Sequence, residues 1–146
     1  MIYFAYGSNM DPVQMQSRCP GNSLLGIACL PHYTLIFSRW SRSWNSGTAD
    51  IVPQKGSEVW GVLYDLTLES LKKVDTFADY PHSYERLDVP VHQQGEVIPA
   101  LTYVAIRQGI FAPSKAYLDK MIAGATKSNI PESYLSFLKR IEVNDG

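Results

Sequence analysis

The N-terminal stretch at residues 3–10 most constrains how this chain can fold, because a strand, a small polar loop and a helix start follow one another there. Met1–Tyr6 is apolar and aromatic, a composition typical of a buried strand. The Gly-Ser-Asn sequence at residues 7–9 ends it abruptly, since glycine allows a positive φ and the two polar side chains favour a turn. Asp11 as N-cap and Pro12 as first helical residue then predict a helix.

Such a connection has two interpretations. A strand that ends in a small polar loop and opens a helix presents several unbonded backbone N–H groups, which favour a bound carboxylate or phosphate. The same pattern is also an ordinary strand–turn–helix connection, which is common in proteins that bind no ligand there. The local pattern leaves both interpretations open.

Composition narrows the classes of partner. The 146 residues, 18% charged and 45% hydrophobic, predict one globular domain over residues 1–146. A formal net charge of −1 gives no support for nucleic acid or an anionic membrane as partner. No apolar run approaches the length of a membrane span.

The cysteines and histidines do not indicate a metal site. Cys19, Cys29 and the three histidines lack the spacing of metal ligands, so no metal is predicted. The first residues read as a strand rather than a signal peptide. We therefore expect a cytoplasmic protein in which both thiols are reduced and structural.

Hydrophobic alternation and capping residues predict the remaining elements. Further strands are predicted at Ser23–Pro31, Tyr33–Phe37, Thr48–Pro53, Glu58–Leu66, Tyr84–Val91 and Val97–Ile106. Helices are predicted at Pro12–Arg18, Thr67–Val74, Ser114–Ala125 and Pro131–Ile141. A mixed set of this kind favours an α+β domain whose sheet closes on itself to remove its edges.

Three connecting features add detail to this outline. Ser38–Gly47 is predicted to be a polar loop with two Trp and two Arg, which suits a lid or rim of a site or, equally, a loop whose Trp side chains tuck under the barrel. Gln54–Ser57 is predicted to be a turn. Gly61, inside a strand, indicates a bulge or the close approach of another backbone.

The octet Tyr-Phe-Ala-Tyr-Gly-Ser-Asn-Met at residues 3–10 resembles the opening signature of the gamma-glutamylcyclotransferase (AIG2-like) family. The similarity continues over nearly the whole chain, through Ile130-Pro131 and residues 141–145. The resemblance implies an α+β fold, a small mixed β-barrel flanked by short helices. It also implies a cofactor-free reaction on a small γ-glutamyl substrate, giving 5-oxoproline and a free amine as in glutathione metabolism. A homodimer is expected from the resemblance alone.

The resemblance also implies where the substrate binds. The N-terminal loop would hold the glutamyl part, and two tyrosines on later strands would line the pocket. The implied binding residues are Tyr3, Phe4, Ala5, Tyr6, Gly7, Ser8, Asn9, Tyr84 and Tyr103. The alternative for the two later tyrosines is a cross-strand packing pair.

The catalytic position departs from the family pattern. The family carries its proton-transferring Glu in a loop resembling Leu-Asp-x-x-Glu-Gly-Tyr-Pro-x-x-Tyr, whereas residues 74–84 read Val-Asp-Thr-Phe-Ala-Asp-Tyr-Pro-His-Ser-Tyr. Ala78 therefore stands at the Glu position and Asp79 at the Gly position. Asp79 could supply the carboxylate from one residue along, if the loop were rebuilt. Two alternatives stay open: a binding or sensor module without turnover, and a laboratory replacement at Ala78.

Other polar residues near this loop are expected to do less. Glu85 should face away from Tyr84 on its strand and lie at the surface. Asp75 is expected to cap or brace the loop rather than take part in chemistry. His82 has a suitable intrinsic pKa for a base at neutral pH, but it lies in a turn and is expected to be solvated.

Overall fold

A computed structural model describes residues 1–144 of the chain. The strands and short helices are numbered in the order in which they occur along the chain. They are β1 (Ile2–Ala5), α1 (Pro12–Arg18), β2 (Ser23–Ser41), β3 (Ser46–Asp65), α2 (Leu68–Phe77), β4 (Tyr84–Gln93), β5 (Glu96–Ala105), α3 (Lys115–Lys127) and α4 (Glu132–Lys139). A single 3₁₀ turn, Ser8–Met10, separates β1 from α1.

The five strands form a closed barrel in the order β1-β3-β2-β4-β5. Parallel pairing of β1 with β5, at Tyr3 and Leu101, closes it, and the other neighbours are antiparallel. Closure pairs the strand edges that an open sheet would leave unpaired. The prediction of an α+β fold with a small mixed barrel flanked by short helices is confirmed.

Local capping chemistry sets three of the four helix starts. Asp11, Thr67 and Ser114 each accept a hydrogen bond from a backbone N–H two or three residues later, at 2.9–3.1 Å. These bonds satisfy donors that the first turn of a helix leaves without partners. The predicted helix Pro12–Arg18 has the same bounds in the structure, whereas α2 runs three residues past its predicted end at Val74.

The division of the middle of the chain into four short strands was wrong. β2 and β3 are single long strands that pair antiparallel from Ser23 opposite Asp65 to Ser41 opposite Ser46. The break predicted after Pro31 is a register shift within β2. The predicted turn Gln54–Ser57 is part of β3. Proline and glycine can mark an irregularity inside a paired strand as well as its end, and only the partner strand decides between the two.

The predicted polar loop Ser38–Gly47 was also wrong at both ends. β2 continues to Ser41, a turn covers residues 42–45, and β3 begins at Ser46. The Ser38 hydroxyl is fully buried and donates to the carboxylate of Asp50 at 2.8 Å. A polar side chain that finds such a partner is compatible with a buried strand, because no donor or acceptor is left unsatisfied.

Two close backbone approaches position the N-terminal turn. A Cβ on Gly61 would lie 2.4 Å from the carbonyl oxygen of Ala5, so the predicted close approach is confirmed. A Cβ on Gly124 of α3 would lie 2.5 Å from the backbone nitrogen of Asp11. Larger residues at either glycine would push β3 or α3 away from the turn. Both contacts therefore fix the turn against the barrel and α3.

Membrane helices, metal clusters and disulfides were also considered in the sequence. Within residues 1–144 no helix is long and apolar enough to cross a membrane. No cluster of three or more His, Cys, Asp or Glu side chains that could hold a metal occurs there either. Cys19 and Cys29 are both buried and form no disulfide. The single domain over residues 1–146 stays a prediction.

Candidate functional site

A cavity of about 750 Å³ lies at the end of the barrel where β1 and β5 finish and β4 begins. It collects side chains from the N-terminal turn, the β2–β3 hairpin, the end of α2, the two C-terminal strands and α3. Its lining includes Tyr3, Tyr6, Gly7, Ser8, Asn9, Arg18, Arg39, Trp40, Arg42, Trp44, Ala78, Asp79, Ser83, Tyr84, Tyr103 and Tyr117. The structure thus brings together most of the residues that the sequence nominated.

The N-terminal turn lines this cavity and has backbone donors without acceptors among residues 1–144. Within the part of the chain that the structure describes, the N–H groups of Gly7, Ser8 and Asn9 have no acceptor, whereas the next N–H, of Met10, donates to the Gly7 carbonyl at 3.1 Å. Gly7 does not use a positive φ, since its φ is −110°. A Cβ there would lie 3.4 Å from the hydroxyl oxygen of Tyr117. The ψ of −138° at Gly7 nevertheless lies outside the helical and extended regions, so the backbone itself favours glycine at this position.

The side chain of Asn9 holds the turn in shape. Its amide nitrogen donates to the Tyr3 hydroxyl at 3.2 Å, and its amide oxygen accepts from Gln14 at 3.2 Å and from Arg18 at 3.0 Å. Its carbonyl accepts from the Tyr64 hydroxyl at 2.8 Å. With both ends of the amide engaged, Asn9 orders the backbone around the free N–H groups.

Two of the nominated binding residues lie elsewhere. Phe4 and Ala5 are buried in the core and are not part of the cavity lining. Tyr6 lines the cavity and donates its hydroxyl proton to the carbonyl of Tyr103. Successive residues of a strand point to opposite faces, so a continuous run of nominated residues could not all reach one cavity.

The end of α2 places Ala78 and Asp79 at the cavity. Ala78 is the C-terminal cap with helical backbone angles, and Asp79 follows with φ of 51°, in the left-handed region. Tyr80 N–H donates to the Asp75 carbonyl at 2.9 Å and Asp79 N–H to the Thr76 carbonyl at 3.1 Å. This pair of bonds defines a Schellman motif, whose left-handed position is usually glycine. Asp79 therefore occupies the position that glycine usually takes in this motif.

Asp79 brings a carboxylate to the cavity. Its side chain accepts a hydrogen bond of 2.6 Å from the Ser83 hydroxyl. Among the residues that the structure describes, it is the only Asp or Glu that lines the cavity. Glu85 and His82 are exposed at the surface and outside the lining, as predicted.

Tyr84 and Tyr103 line the same cavity as neutral phenols. Tyr84 donates to the Ala49 carbonyl at 2.9 Å, and Tyr103 donates to Asp75 at 2.5 Å. Burial raises the pKa of both tyrosines, and the bond to Asp75 raises the pKa of Tyr103 further. Neither phenol can serve as a base near neutral pH, because both stay protonated there.

Asp75 braces the loop, as predicted. Besides Tyr103 it pairs with the guanidinium of Arg86, which in turn lies 4.5 Å from the centroid of the Tyr80 ring. These contacts tie the last turn of α2 to β4 and β5. They hold Asp79 at a fixed place relative to the strands.

Arg18 and Tyr117 are lining residues that the sequence did not single out. The Arg18 guanidinium bonds Asn9 and lies 4.5 Å from the centroid of the Phe77 ring. Partial burial lowers the pKa of Arg18, but an arginine stays charged at neutral pH. The Tyr117 hydroxyl oxygen accepts from Ala49 N–H at 3.1 Å. The spacing of Gln14 and Arg18, four residues apart on one helix face, was the signal available for Arg18.

The β2–β3 hairpin forms a wall of the cavity, which supports the rim alternative for its Trp and Arg residues. Trp44 packs edge-on against Tyr117 with ring centroids 5.3 Å apart, and Trp40 packs against Phe111 at 6.2 Å. Arg39 donates to the Ile106 carbonyl at 2.9 Å. The segment lines the cavity from an ordered hairpin rather than from a loop.

Comparisons with known proteins agree with this geometry. The sequence profile of the AIG2-like family matches residues 58–138. Human (Homo sapiens) gamma-glutamylcyclotransferase is 31% identical over 150 residues, covering 99% of this chain and 80% of the human protein. The bovine (Bos taurus) gamma-glutamylcyclotransferase is 30% identical with the same coverage. A solved structure described as a gamma-glutamyl cyclotransferase matches with a TM-score of 0.94 at 31% identity, over 99% of this chain and 89% of the other.

Proposed function

This chain belongs to the gamma-glutamylcyclotransferase (AIG2-like) family, and from that premise we propose that it releases 5-oxoproline and a free amino acid or amine from γ-glutamyl compounds. One observation carries the proposal: unbonded N–H groups of the N-terminal turn and the carboxylate of Asp79 share one cavity. Donors for an oxyanion and an acceptor for a proton are what ring closure requires from a protein.

The reaction is internal to the substrate. The α-amine of the glutamyl group loses its proton and its nitrogen bonds to the γ-carbonyl carbon. The bond from that carbon to the leaving nitrogen then breaks, and the leaving nitrogen takes up a proton. Because attacking and attacked groups belong to one molecule, the protein has to hold them in a reactive conformer rather than bring them together. No cofactor enters this scheme.

Asp79 is the proposed proton carrier. The substrate α-ammonium is inert until a base removes its proton, and a methyl group at Ala78 cannot do so. Asp79 lines the cavity one residue further along, with its carboxylate oriented by the Ser83 hydroxyl. We assign it the transfer of a proton from the amine to the leaving nitrogen.

The N-terminal turn is the proposed cradle for the glutamyl group. Gly7, Ser8 and Asn9 supply three N–H groups without an acceptor in the described part of the chain. One or more of them would stabilise the oxyanion on the γ-carbonyl. The cavity walls beside the cradle are aromatic, formed by Tyr3, Tyr6 and Tyr84.

Incubation with a panel of γ-glutamyl dipeptides and γ-glutamyl amines tests the proposal. We expect 5-oxoproline and the free amino acid or amine in equal amounts for at least one member of the panel. Glutamate in place of 5-oxoproline would mean that water, not the α-amine, attacks. Binding of these compounds in a calorimeter with no product would support a sensor module instead of an enzyme.

We also propose that the protein is cytoplasmic and, on the family resemblance alone, that it forms a homodimer. Light scattering at several protein concentrations tests the second statement, which predicts about twice the chain mass of 16.4 kDa. A mass that stays at one chain throughout would contradict it.

A further inference from the structure

The cavity carries an excess of positive charge that ring closure does not explain. Three arginines, Arg18, Arg39 and Arg42, line it together with one acid, Asp79. The chain as a whole has a formal net charge of −1. Within the described residues the lining is thus formally +2 inside a slightly acidic protein, and clefts of one sign concentrate ligands of the other.

None of these three guanidinium groups has a carboxylate partner among residues 1–144. Elsewhere the structure pairs buried and half-buried acids with basic residues, as Asp50 with Arg107 and Asp75 with Arg86. The lining arginines bond neutral acceptors instead: Arg18 bonds the Asn9 amide and Arg39 the Ile106 carbonyl. Arg18 and Arg39 are half-buried, and a partly desolvated cation without a counter-charge is stabilised by a bound anion, whereas Arg42 is exposed and adds its charge at the rim.

The three arginines belong to two separate parts of the cavity. Arg18 is bonded to the N-terminal turn, next to the proposed glutamyl cradle. Arg39 and Arg42 lie on the β2–β3 hairpin, beside Trp40 and Trp44. A γ-glutamyl group brings one carboxylate, which Arg18 and the turn can bind. The two hairpin arginines then face whatever is attached to the γ-carbonyl.

We infer that Arg39 and Arg42 select a leaving group that carries two carboxylates, so that the preferred substrates are γ-glutamyl derivatives of acidic amino acids. This inference rests on the proposed function and names its substrate class. A γ-glutamyl-glutamate molecule has a charge of about −2 at neutral pH, which matches the lining. Guanidinium groups are suited to this task because their planar donor geometry fits a carboxylate.

The test compares three substrates that differ in the charge of the leaving group. They are γ-glutamyl-glutamate, whose leaving group carries two carboxylates, its isostere γ-glutamyl-glutamine, whose leaving group carries one, and γ-glutamyl-ethylamide, whose leaving group carries none. We expect kcat/KM to fall in that order, by roughly 5- to 20-fold at each step, with the gap narrowing as salt is added. The difference should appear in KM rather than kcat, because the arginines do not touch the reacting atoms.

Variants of the hairpin arginines test whether the preference for an acidic leaving group arises from the β2–β3 hairpin. Arg42→Gln should lower kcat/KM for γ-glutamyl-glutamate by roughly 5- to 10-fold and leave γ-glutamyl-glutamine nearly unchanged. Arg42 is exposed at the turn, and its side chain makes no hydrogen bond or ion pair within residues 1–144. Arg39→Gln also removes the bond to Ile106, so its melting temperature needs a check. Arg140→Gln, exposed at the end of α4 and outside the cavity, is the matched control.

The outcomes separate the two proposals. Turnover of all three substrates at similar kcat/KM, or an equal loss for γ-glutamyl-glutamate and γ-glutamyl-glutamine in Arg42→Gln, would overturn the inference and leave the proposed function standing. Absence of 5-oxoproline from all three would count against the proposed function. In that case the binding affinities of the same compounds, measured by calorimetry, still test the inference. Equal affinity for γ-glutamyl-glutamate and γ-glutamyl-glutamine would overturn it.

Discussion

Asp79 stands in the left-handed conformation that ends α2, and its carboxylate accepts a 2.6 Å hydrogen bond from the Ser83 hydroxyl. The resembled family motif has glycine at this position and a glutamate at the residue before it. Here Ala78 keeps the helical conformation and Asp79 takes the glycine's place in the turn. Aspartate tolerates a left-handed backbone better than most residues, so it can occupy this position of the turn.

Asp79→Gly should separate stability from activity. Glycine removes the cost of a left-handed backbone at a Schellman position, so we expect the free energy of unfolding to rise by about 0.5–1 kcal/mol. The loss of the exposed bond to Ser83 offsets only part of this gain. Release of 5-oxoproline should fall to background in the same protein. Urea unfolding and a product assay measure the two effects, and a stabilised variant with full activity would remove Asp79 from the mechanism.

Placing a carboxylate at position 78 should restore the activity lost in Asp79→Gly. Ala78→Glu combined with Asp79→Gly recreates the Glu-Gly pair of the resembled motif on the same turn. Ala78 lines the cavity, so the longer side chain enters it from the helix cap. We expect a gain of roughly 100-fold or more over Asp79→Gly alone, the usual size of a general-base contribution. A double variant as inactive as Asp79→Gly would show that the cavity lacks more than a base.

Tyr103→Phe tests the brace behind the loop. The phenol donates to Asp75, so its removal takes one partner from a partly buried charged group. We expect the protein to lose about 1–2 kcal/mol of unfolding free energy, and kcat to fall modestly because the end of α2 loosens. Tyr33→Phe is the control, since Tyr33 is half-buried and makes no side-chain hydrogen bond within residues 1–144. Equal stability in the two variants would contradict the bracing role.

The ion pair between Asp11 and Lys120, 2.9 Å long, should make stability depend on pH. Burial raises the pKa of Asp11, but hydrogen bonds from Lys120 and from the Val13 N–H outweigh it and hold that pKa below its ordinary value of 3.8. The ionised carboxylate therefore stabilises the fold above the unfolded pKa, and this contribution is lost as pH falls through the lower, folded value.

Asp11→Asn isolates that contribution, because asparagine remains a good N-cap while losing the charge. At neutral pH we expect the variant to be less stable than the parent by about 1–2 kcal/mol. The difference should shrink as the pH falls below 3.8, where the parent also becomes protonated. Urea unfolding across that range measures it, and a constant difference at every pH would contradict the assignment.

The sequence predicted those features of the fold that depend on neighbouring residues, such as the helix caps. The caps Asp11 and Thr67 are confirmed because a cap bonds the backbone within three residues of itself. The continuity of β2 and β3 could not be predicted, because a proline or glycine inside a strand becomes a bulge or an end according to the partner strand.

The residues of the candidate site that belong to local motifs were predictable in the same way. The turn at residues 7–9 and the Ala78-Asp79 pair are local motifs, and the structure places all of them at the cavity. Arg18 reaches the same cavity only because α1 folds back over the turn and brings its guanidinium to Asn9. Such a contact depends on how the elements pack together, and the sequence pattern of one element indicates that packing only weakly.

The central claim, that the Asp79 carboxylate moves the proton in ring closure, is tested most directly by the rate of 5-oxoproline release from Asp79→Asn. Asparagine keeps the shape and tolerates the left-handed backbone, so only the basicity is lost. Asp88→Asn, at an exposed position of β4 outside the cavity lining, is the matched control. The account predicts a fall of roughly 100-fold or more for Asp79→Asn and an unchanged rate for Asp88→Asn. Equal rates in both variants and the parent would contradict it.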